Sequence, residues 1–204
     1  MTYNFKKELP VMEHFYSLQG EGQYQGYAAF FIRLAGCDVG CVWCDVKESW
    51  EANEGQLMQI SEMIAMVKES GTKIVIVTGG EPLMHDLTYL TKELQQLDVR
   101  VHVETSGTSP ITGEWSWICF SPKKFKQPLE EYYEKADELK IVVFNKSDFA
   151  WAQTHAEKVN DSCKLLLQPE WSVRDKYIEE MIQFVKDNPQ WQLSLQVHKY
   201  LDIR

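Results

Sequence analysis

Cys37, Cys41 and Cys44 lie within one short run, Gly36-Cys37-Asp38-Val39-Gly40-Cys41-Val42-Trp43-Cys44-Asp45. The C-x3-C-x2-C spacing presents three thiolates to one metal centre and offers no fourth cysteine nearby. Iron–sulfur clusters are usually held by four thiolates. A cluster held by three leaves one iron open to a further ligand, as catalytic zinc sites keep one position for a reactant. Two plainer readings compete. A structural zinc knuckle would take its fourth ligand from His14 or Asp45, and a redox C-x2-C pair would leave Cys37 idle.

A second run, Thr78-Gly79-Gly80-Glu81-Pro82, bears on the choice. By itself it is a glycine-rich turn between a strand and a helix. It is also a strip of backbone that a ligand can approach closely, because two of its residues lack side chains. Its exposed backbone and the Glu81 carboxylate offer acceptors to an ammonium group. Taken together, C-x3-C-x2-C and a downstream G-G-E-P resemble the signature of the radical S-adenosylmethionine (SAM) superfamily. The resemblance implies a [4Fe–4S] cluster on Cys37, Cys41 and Cys44, with the amino and carboxylate groups of SAM on the open iron. It implies one-electron cleavage of the sulfonium to methionine and a 5′-deoxyadenosyl radical.

Further runs narrow the family. They are Leu18-Gln19-Gly20-Glu21-Gly22, Arg33, Trp43-Cys44-Asp45, Glu104-Thr105-Ser106-Gly107, Ser121-Pro122-Lys123 and the terminal Gln196-Val197-His198-Lys199-Tyr200-Leu201-Asp202-Ile203-Arg204. In this order they closely resemble the 7-carboxy-7-deazaguanine synthase family, from about Glu13 to the last residue. That resemblance implies a lyase that rearranges 6-carboxy-5,6,7,8-tetrahydropterin to 7-carboxy-7-deazaguanine with loss of ammonia, on the way to queuosine and related deazapurines. A hydrogen atom is taken from C6 of the pterin and later returned, so that SAM is regenerated.

The resemblance also implies roles. Leu18, Gln19, Gly20, Arg33, Thr78, His198 and the carboxylate of Arg204 are expected at the substrate, with Arg33 pairing its carboxylate. Trp43, Cys44, Asp45, Gly80, Glu81, Glu104, Ser106, Ser121, Pro122, Lys123, Gln168, Pro169, Glu170 and Trp171 are expected around SAM. Many relatives carry Thr after C-x-W-C-D as a Mg²⁺ ligand; here the position is Val46, which has no side-chain oxygen. Mg²⁺ keeps bound waters readily, so it is expected through water and Asp45 or not at all. A flavodoxin or ferredoxin donor and a homodimer are expected partners. Two rivals stay open at this level. A glycyl-radical activase shares C-x3-C-x2-C but would not need L-Q-G-E-G or the H-K-Y-L tail. A zinc-binding interaction module would carry zinc in place of iron and sulfide.

These residues need a scaffold. Strands are predicted over 29–34, 73–78, 100–104, Trp117–Phe120, 139–144, 164–167 and 193–197. Helices are predicted over 60–69, capped by Ser61, and over 87–97, 149–159 and 174–186. Strands alternating with helices imply a parallel sheet with right-handed crossovers. An open doubly wound sheet is one alternative. The preferred fold is an α/β, partial (β/α) TIM-like barrel of about six parallel strands, a radical SAM core, in one domain spanning 1–204. A full eight-fold barrel typically needs ~250 residues. The cysteine loop, Thr78–Pro82, Glu104–Gly107, Ser121–Lys123, Gln168-Pro169 and His198-Lys199 each follow a predicted strand. In parallel α/β folds the site lies at that end of the strands.

Composition sets outer bounds. A net charge of −9 with 44% hydrophobic residues argues against nucleic-acid or anionic-membrane binding. No apolar stretch reaches membrane-span length and no signal-peptide pattern opens the chain. An odd number of cysteines, three of them clustered, suits a reducing cytoplasm. Cys119 and Cys163 are expected in the core, the tryptophans in core or interface, and the mixed-charge run 130–140 on a solvated helix face.

Overall fold

A computed structural model describes residues 7–204. Its strands are β1 (Glu8–Leu18), β2 (Ala28–Leu34), β3 (Leu57–Gln59), β4 (Ile74–Gly79), β5 (Arg100–Thr105), β6 (Trp117–Phe120), β7 (Glu138–Val143), β8 (Lys164–Pro169) and β9 (Trp191–Leu193). Its helices are α1 (Ile60–Ser70), α2 (Thr88–Gln95), α3 (Glu131–Lys135), α4 (Ser147–Ala156), α5 (Arg174–Asp187) and α6 (Val197–Leu201). Among the described residues the strands form one sheet in the order β3-β1-β2-β4-β5-β6-β7-β8-β9.

From β2 through β9 every pairing is parallel and the parallel strands follow chain order. A doubly wound sheet reverses strand order at a switch point, and no reversal occurs here. Every crossover therefore advances the same way and the sheet curls. Its two ends meet: Val197 N donates to Gly20 O at 2.9 Å, Gly22 N to Ser194 Oγ at 2.9 Å, and Ser17 Oγ to Arg204 O at 2.6 Å. The result is the expected partial barrel, its seven parallel strands falling at or beside the seven predicted, with β1 and β3 added in antiparallel pairing.

Alternation along each strand sorts side chains between two faces. Val75, Val77, Val101, Val103, Phe120, Leu139, Ile141 and Val143 join the main core with Leu90 and Leu94 of α2. The opposite face carries Phe31 and Ile76, then Arg33, Thr78, Glu104, Lys140 and Gln168 nearer the strand ends. Below them Tyr24 packs against His102 and Trp117, with ring centroids 4.5 and 5.0 Å away. This aromatic floor fills the lower interior and leaves the upper end open.

Three expectations need correction. Ser61 lies inside α1; Gln59 is the cap, in a reciprocal capping box with Glu62. The run 130–140 is not a solvated helix face. The helix is confined to α3, Tyr132 and Tyr133 are buried, and Glu138 and Lys140 are buried on β7. The strand expected over 193–197 ends at Leu193, and His198 and Lys199 lie on α6. Cys119 and Cys163 are buried as expected.

Candidate active site

The cysteine loop leaves the end of β2 and is clasped at both ends. Ala35 N donates to Pro10 O at 2.8 Å, Gly36 N to Ser49 O at 2.7 Å and Cys37 N to Trp50 O at 3.1 Å. Two ion pairs hold its flanks: Asp38 to Lys126 Nζ at 2.6 Å and Asp45 to Lys199 Nζ at 2.8 Å. The second ties the loop to α6 across the mouth of the barrel.

Gly79-Gly80 crosses this loop closely. Gly80 N donates to Leu34 O at 3.0 Å and Glu81 N to Gly36 O at 2.8 Å. A Cβ on Gly80 would fall 2.7 Å from Cys37 Cβ, so only glycine fits. Glu81 turns away from the opening. Its carboxylate accepts from Leu83 N at 3.2 Å, Thr105 Oγ1 at 2.6 Å and Ser106 N at 2.7 Å. The expected contact of Glu81 with an ammonium group is corrected accordingly: the carboxylate caps the turn Pro82–Met84 and fixes Ser106.

Above the aromatic floor lies a cavity of about 400 Å³. Cys37, Cys41 and Cys44 all reach it, as do Leu18, Gln19, Gly20, Arg33, Trp43, Asp45, Thr78, Gly80, Glu104, Ser106, Ser121, Lys123, Gln168, Pro169, Glu170, Trp171, His198 and Arg204. Of the residues expected from the sequence, Glu81 and Pro122 alone stand outside this lining. Segments from opposite ends of the chain thus converge on one rim.

The three thiols are free, and burial pushes the Cys41 thiol up to about 11 and raises that of Cys37. Three soft sulfur donors beside a side-chain-free strip of backbone fit an iron–sulfur cluster with one open iron. Such thiols give up their protons to the metal.

At the β1 end, Gln19 N donates to Tyr27 O at 2.8 Å, Gln19 O accepts from Gly26 N at 2.7 Å and Gly20 O from Val197 N at 2.9 Å, and the Gln19 side chain donates to Glu104 at 2.8 Å, so the 18–20 turn is fixed where it borders the cavity. A Cβ on Gly20 would fall 2.7 Å from His198 Cβ, so α6 seats directly on this turn. Burial lowers the His198 pKa, which keeps the ring neutral. Arg33 pairs Glu13 through Nε at 2.7 Å; the outer edge of its guanidinium takes no part in that contact.

On the other side, Lys123 Nζ donates to Ser121 O at 2.6 Å and lies 5.8 Å from the Trp43 ring centroid. Two cations approach the Trp171 ring, Arg174 at 4.0 Å and Lys199 at 5.4 Å from its centroid.

Sequence reasoning missed a buried charge network. Lys140 Nζ lies 2.6 Å from Glu21 and 3.1 Å from Glu104. Gln196 donates to Glu21 at 2.9 Å. Lys140 lines the cavity, and nothing in the sequence around it names the partners that bury it. Trp50 was also missed, and Lys199, placed at the rim beside His198, was given no role.

The family model described as Radical SAM superfamily matches residues 31–140. The chain is 50% identical over 198 residues to the 7-carboxy-7-deazaguanine synthase of Flavobacterium psychrophilum, covering 96% of this chain and 92% of that protein. It is 44% identical to the synthase of that name from Synechocystis, covering 96% and 93%, and 33% identical to that of Escherichia coli, covering 96% and 99%. The crystal structure of QueE from Escherichia coli superposes with a TM-score of 0.84 at 32% identity, covering 94% of this chain and 95% of that one.

Proposed function

The chain belongs to the 7-carboxy-7-deazaguanine synthase family of the radical SAM superfamily, and on that premise we propose how its residues divide the work. It is a radical SAM enzyme of queuosine biosynthesis, acting on a carboxylated tetrahydropterin with a [4Fe–4S] cluster and SAM. When bound, these cofactors supply one-electron chemistry that removes a hydrogen atom from C6 of the pterin.

Cys37, Cys41 and Cys44 hold the cluster. The carrying observation is that these cysteines, the Gly80 backbone and the 18–20 turn face one cavity at the ends of the parallel strands. The outer guanidinium edge of Arg33 takes the substrate carboxylate, since a planar fork matches a planar anion. Leu18, Gln19 and Gly20 border the pterin edge, and Thr78, His198 and Arg204 close its other side. Ser106, Ser121, Lys123 and Glu104 flank the ribose and methionine parts of SAM. Gln168, Pro169, Glu170 and Trp171 border the adenine, and Trp43 and Asp45 the sulfonium side. The barrel floor and α6 exclude water, which protects radical intermediates from side reactions.

Mg²⁺ enters this scheme in a reduced role. Val46 faces the cavity without an oxygen, and Asp45 already accepts from Lys199 and Gln196. A water-mediated contact is the arrangement that fits such a site. A flavodoxin or ferredoxin supplies the electron, the protein acts as a homodimer, and the cytoplasm is its compartment. Among the described residues no helix is long and apolar enough to cross a membrane.

The test is anaerobic incubation of reconstituted protein with SAM, a reductant and 6-carboxytetrahydropterin. Formation of the deazaguanine chromophore with ammonia release is the expected result. Reductive SAM cleavage without any deazaguanine would overturn the substrate assignment.

A further inference from the structure

Trp50 meets the cysteine loop through both its backbone and its side chain. Its carbonyl accepts from Cys37 N at 3.1 Å, and its indole Nε1 donates to Cys44 Sγ at 3.4 Å. The preceding turn, Lys47–Ser49, is fastened on itself: the buried Ser49 donates from Oγ to Val46 O at 2.6 Å. The indole N–H is therefore preset at the sulfur. Lys47 Nζ stands 5.9 Å from the indole centroid. A cation near the ring draws on its electron density and makes the N–H a better donor.

Any residue at position 50 would supply the carbonyl of the clasp. The contact to Cys44 needs a side-chain donor that reaches the sulfur, and here it is the indole N–H. Cys37, by contrast, lies near the backbone amides of Val39 and Gly40, which side-chain substitutions other than proline leave in place. Hydrogen bonds to cluster sulfurs are among the determinants of reduction potential. They stabilise the more negative, reduced state more than the oxidised one, because charge-assisted bonds strengthen with charge on the acceptor.

We infer that Trp50 is a positioning residue that tunes the cluster, its indole N–H on Cys44 raising the reduction potential and so easing entry of the electron. The inference rests on the reading that Cys37, Cys41 and Cys44 hold a [4Fe–4S] centre. If reconstituted wild-type protein takes up no iron and sulfide, that reading fails. If the cluster loads and only the effect of Trp50 is missing, the inference alone fails.

The experiment is a redox titration of reconstituted wild-type, Trp50→Phe and Trp50→His proteins, followed by electron paramagnetic resonance after iron and sulfide are quantified. Trp50→Phe is expected to change the oxidised-to-reduced ratio at a fixed potential by about tenfold toward oxidised, equivalent to ~59 mV for one electron. Trp50→His, which keeps a ring N–H, is expected to recover part of that change. A fully loaded Trp50→Phe protein that titrates with the wild type overturns the inference, whatever its activity. Wild-type protein labelled with ¹⁵N at the indole nitrogens provides a second readout that does not depend on the variants loading. A ¹⁵N coupling to the reduced cluster is expected, and its absence overturns the inference equally.

Discussion

Lys140 Nζ stands 2.6 Å from Glu21 Oε2 inside the barrel, with the lysine side chain 5% exposed. Burial alone would raise the Glu21 pKa, but Lys140 outweighs it and holds the carboxyl at about 2, against a usual value of 4.5. The folded value lies below the unfolded one. The stabilisation is therefore present above about pH 4.5 and is lost as pH falls toward 2. Unfolding by urea is expected to show that loss on acidification. In Lys140→Met the partly buried carboxylates of Glu21 and Glu104 lose their cation, a change that costs about 3–5 kcal/mol near neutral pH where the pair is fully buried and less here. They then favour the protonated form, so acidification should restore stability in the variant. Parallel pH curves for the two proteins would exclude the network as the cause.

Glu81 gives a test that separates support from direct ligand contact. Its carboxylate accepts from Ser106 N at 2.7 Å and Leu83 N at 3.2 Å and lies away from the cavity lining. Glu81→Ala leaves those buried donors unpaired, at about 1–3 kcal/mol each. The melting temperature should fall and SAM binding should weaken together. Glu81→Gln should fall between wild type and alanine on both measures. A Glu81→Gln protein with unchanged melting but abolished SAM binding would show instead that the carboxylate holds SAM itself.

The sequence exposed the chemistry better than the scaffold's edges. β4 and β5 were legible because their apolar runs are bounded by turn residues. β1 was not, because Glu8–Leu18 mixes Pro10, charged residues and apolar ones on a strand whose second half is only partly buried. β9 was misplaced because Leu193, Leu195 and Val197 mimic an apolar face. In the structure Ser194 and Gln196 are the buried pair, satisfied by Gln168 and Glu21. The same logic hid Lys140. A buried cation looks like surface until its partners, distant in sequence, are brought beside it.

Gly80 is expected to tolerate no side chain. An added Cβ would meet Cys37 Cβ at 2.7 Å and push apart the strip of backbone and the cluster loop. Gly80→Ala should fold, since the clash is confined to the loop, yet take up less than half the iron of wild type on reconstitution. Iron and sulfide assays beside circular dichroism check both halves. Full cluster content with normal SAM cleavage would show that the loop has room to spare.

Val46 predicts a shift in metal dependence. The side chain lines the cavity and offers no oxygen, while Asp45 is engaged by Lys199 at 2.8 Å. Turnover by the wild type is expected to change little, within about twofold, on Mg²⁺ titration, because bound water can replace a protein ligand at modest cost. Val46→Thr places a hydroxyl there and should make turnover saturable in Mg²⁺. A wild-type rate that rises steeply with Mg²⁺ would count against the water-mediated arrangement.

Ser17 and Arg204 set the last expectation. Ser17 Oγ donates to Arg204 O at 2.6 Å, and Ile203 N donates to His198 O at 3.1 Å, so the segment after α6 folds back toward the end of β1. Arg204 and His198 line the cavity together. A peptide fused after Arg204 would carry bulk to the mouth of the barrel and strain the contact of this segment with β1. A loss of about 1.4 kcal/mol is tenfold in affinity. KM for the pterin should rise about tenfold in the fused protein, while cluster content and reductive SAM cleavage without substrate stay at wild-type levels. Ser17→Ala should raise KM in the same direction by less, since the segment loses only one tether. An unchanged KM in the fused protein would remove the segment after α6 from the substrate site.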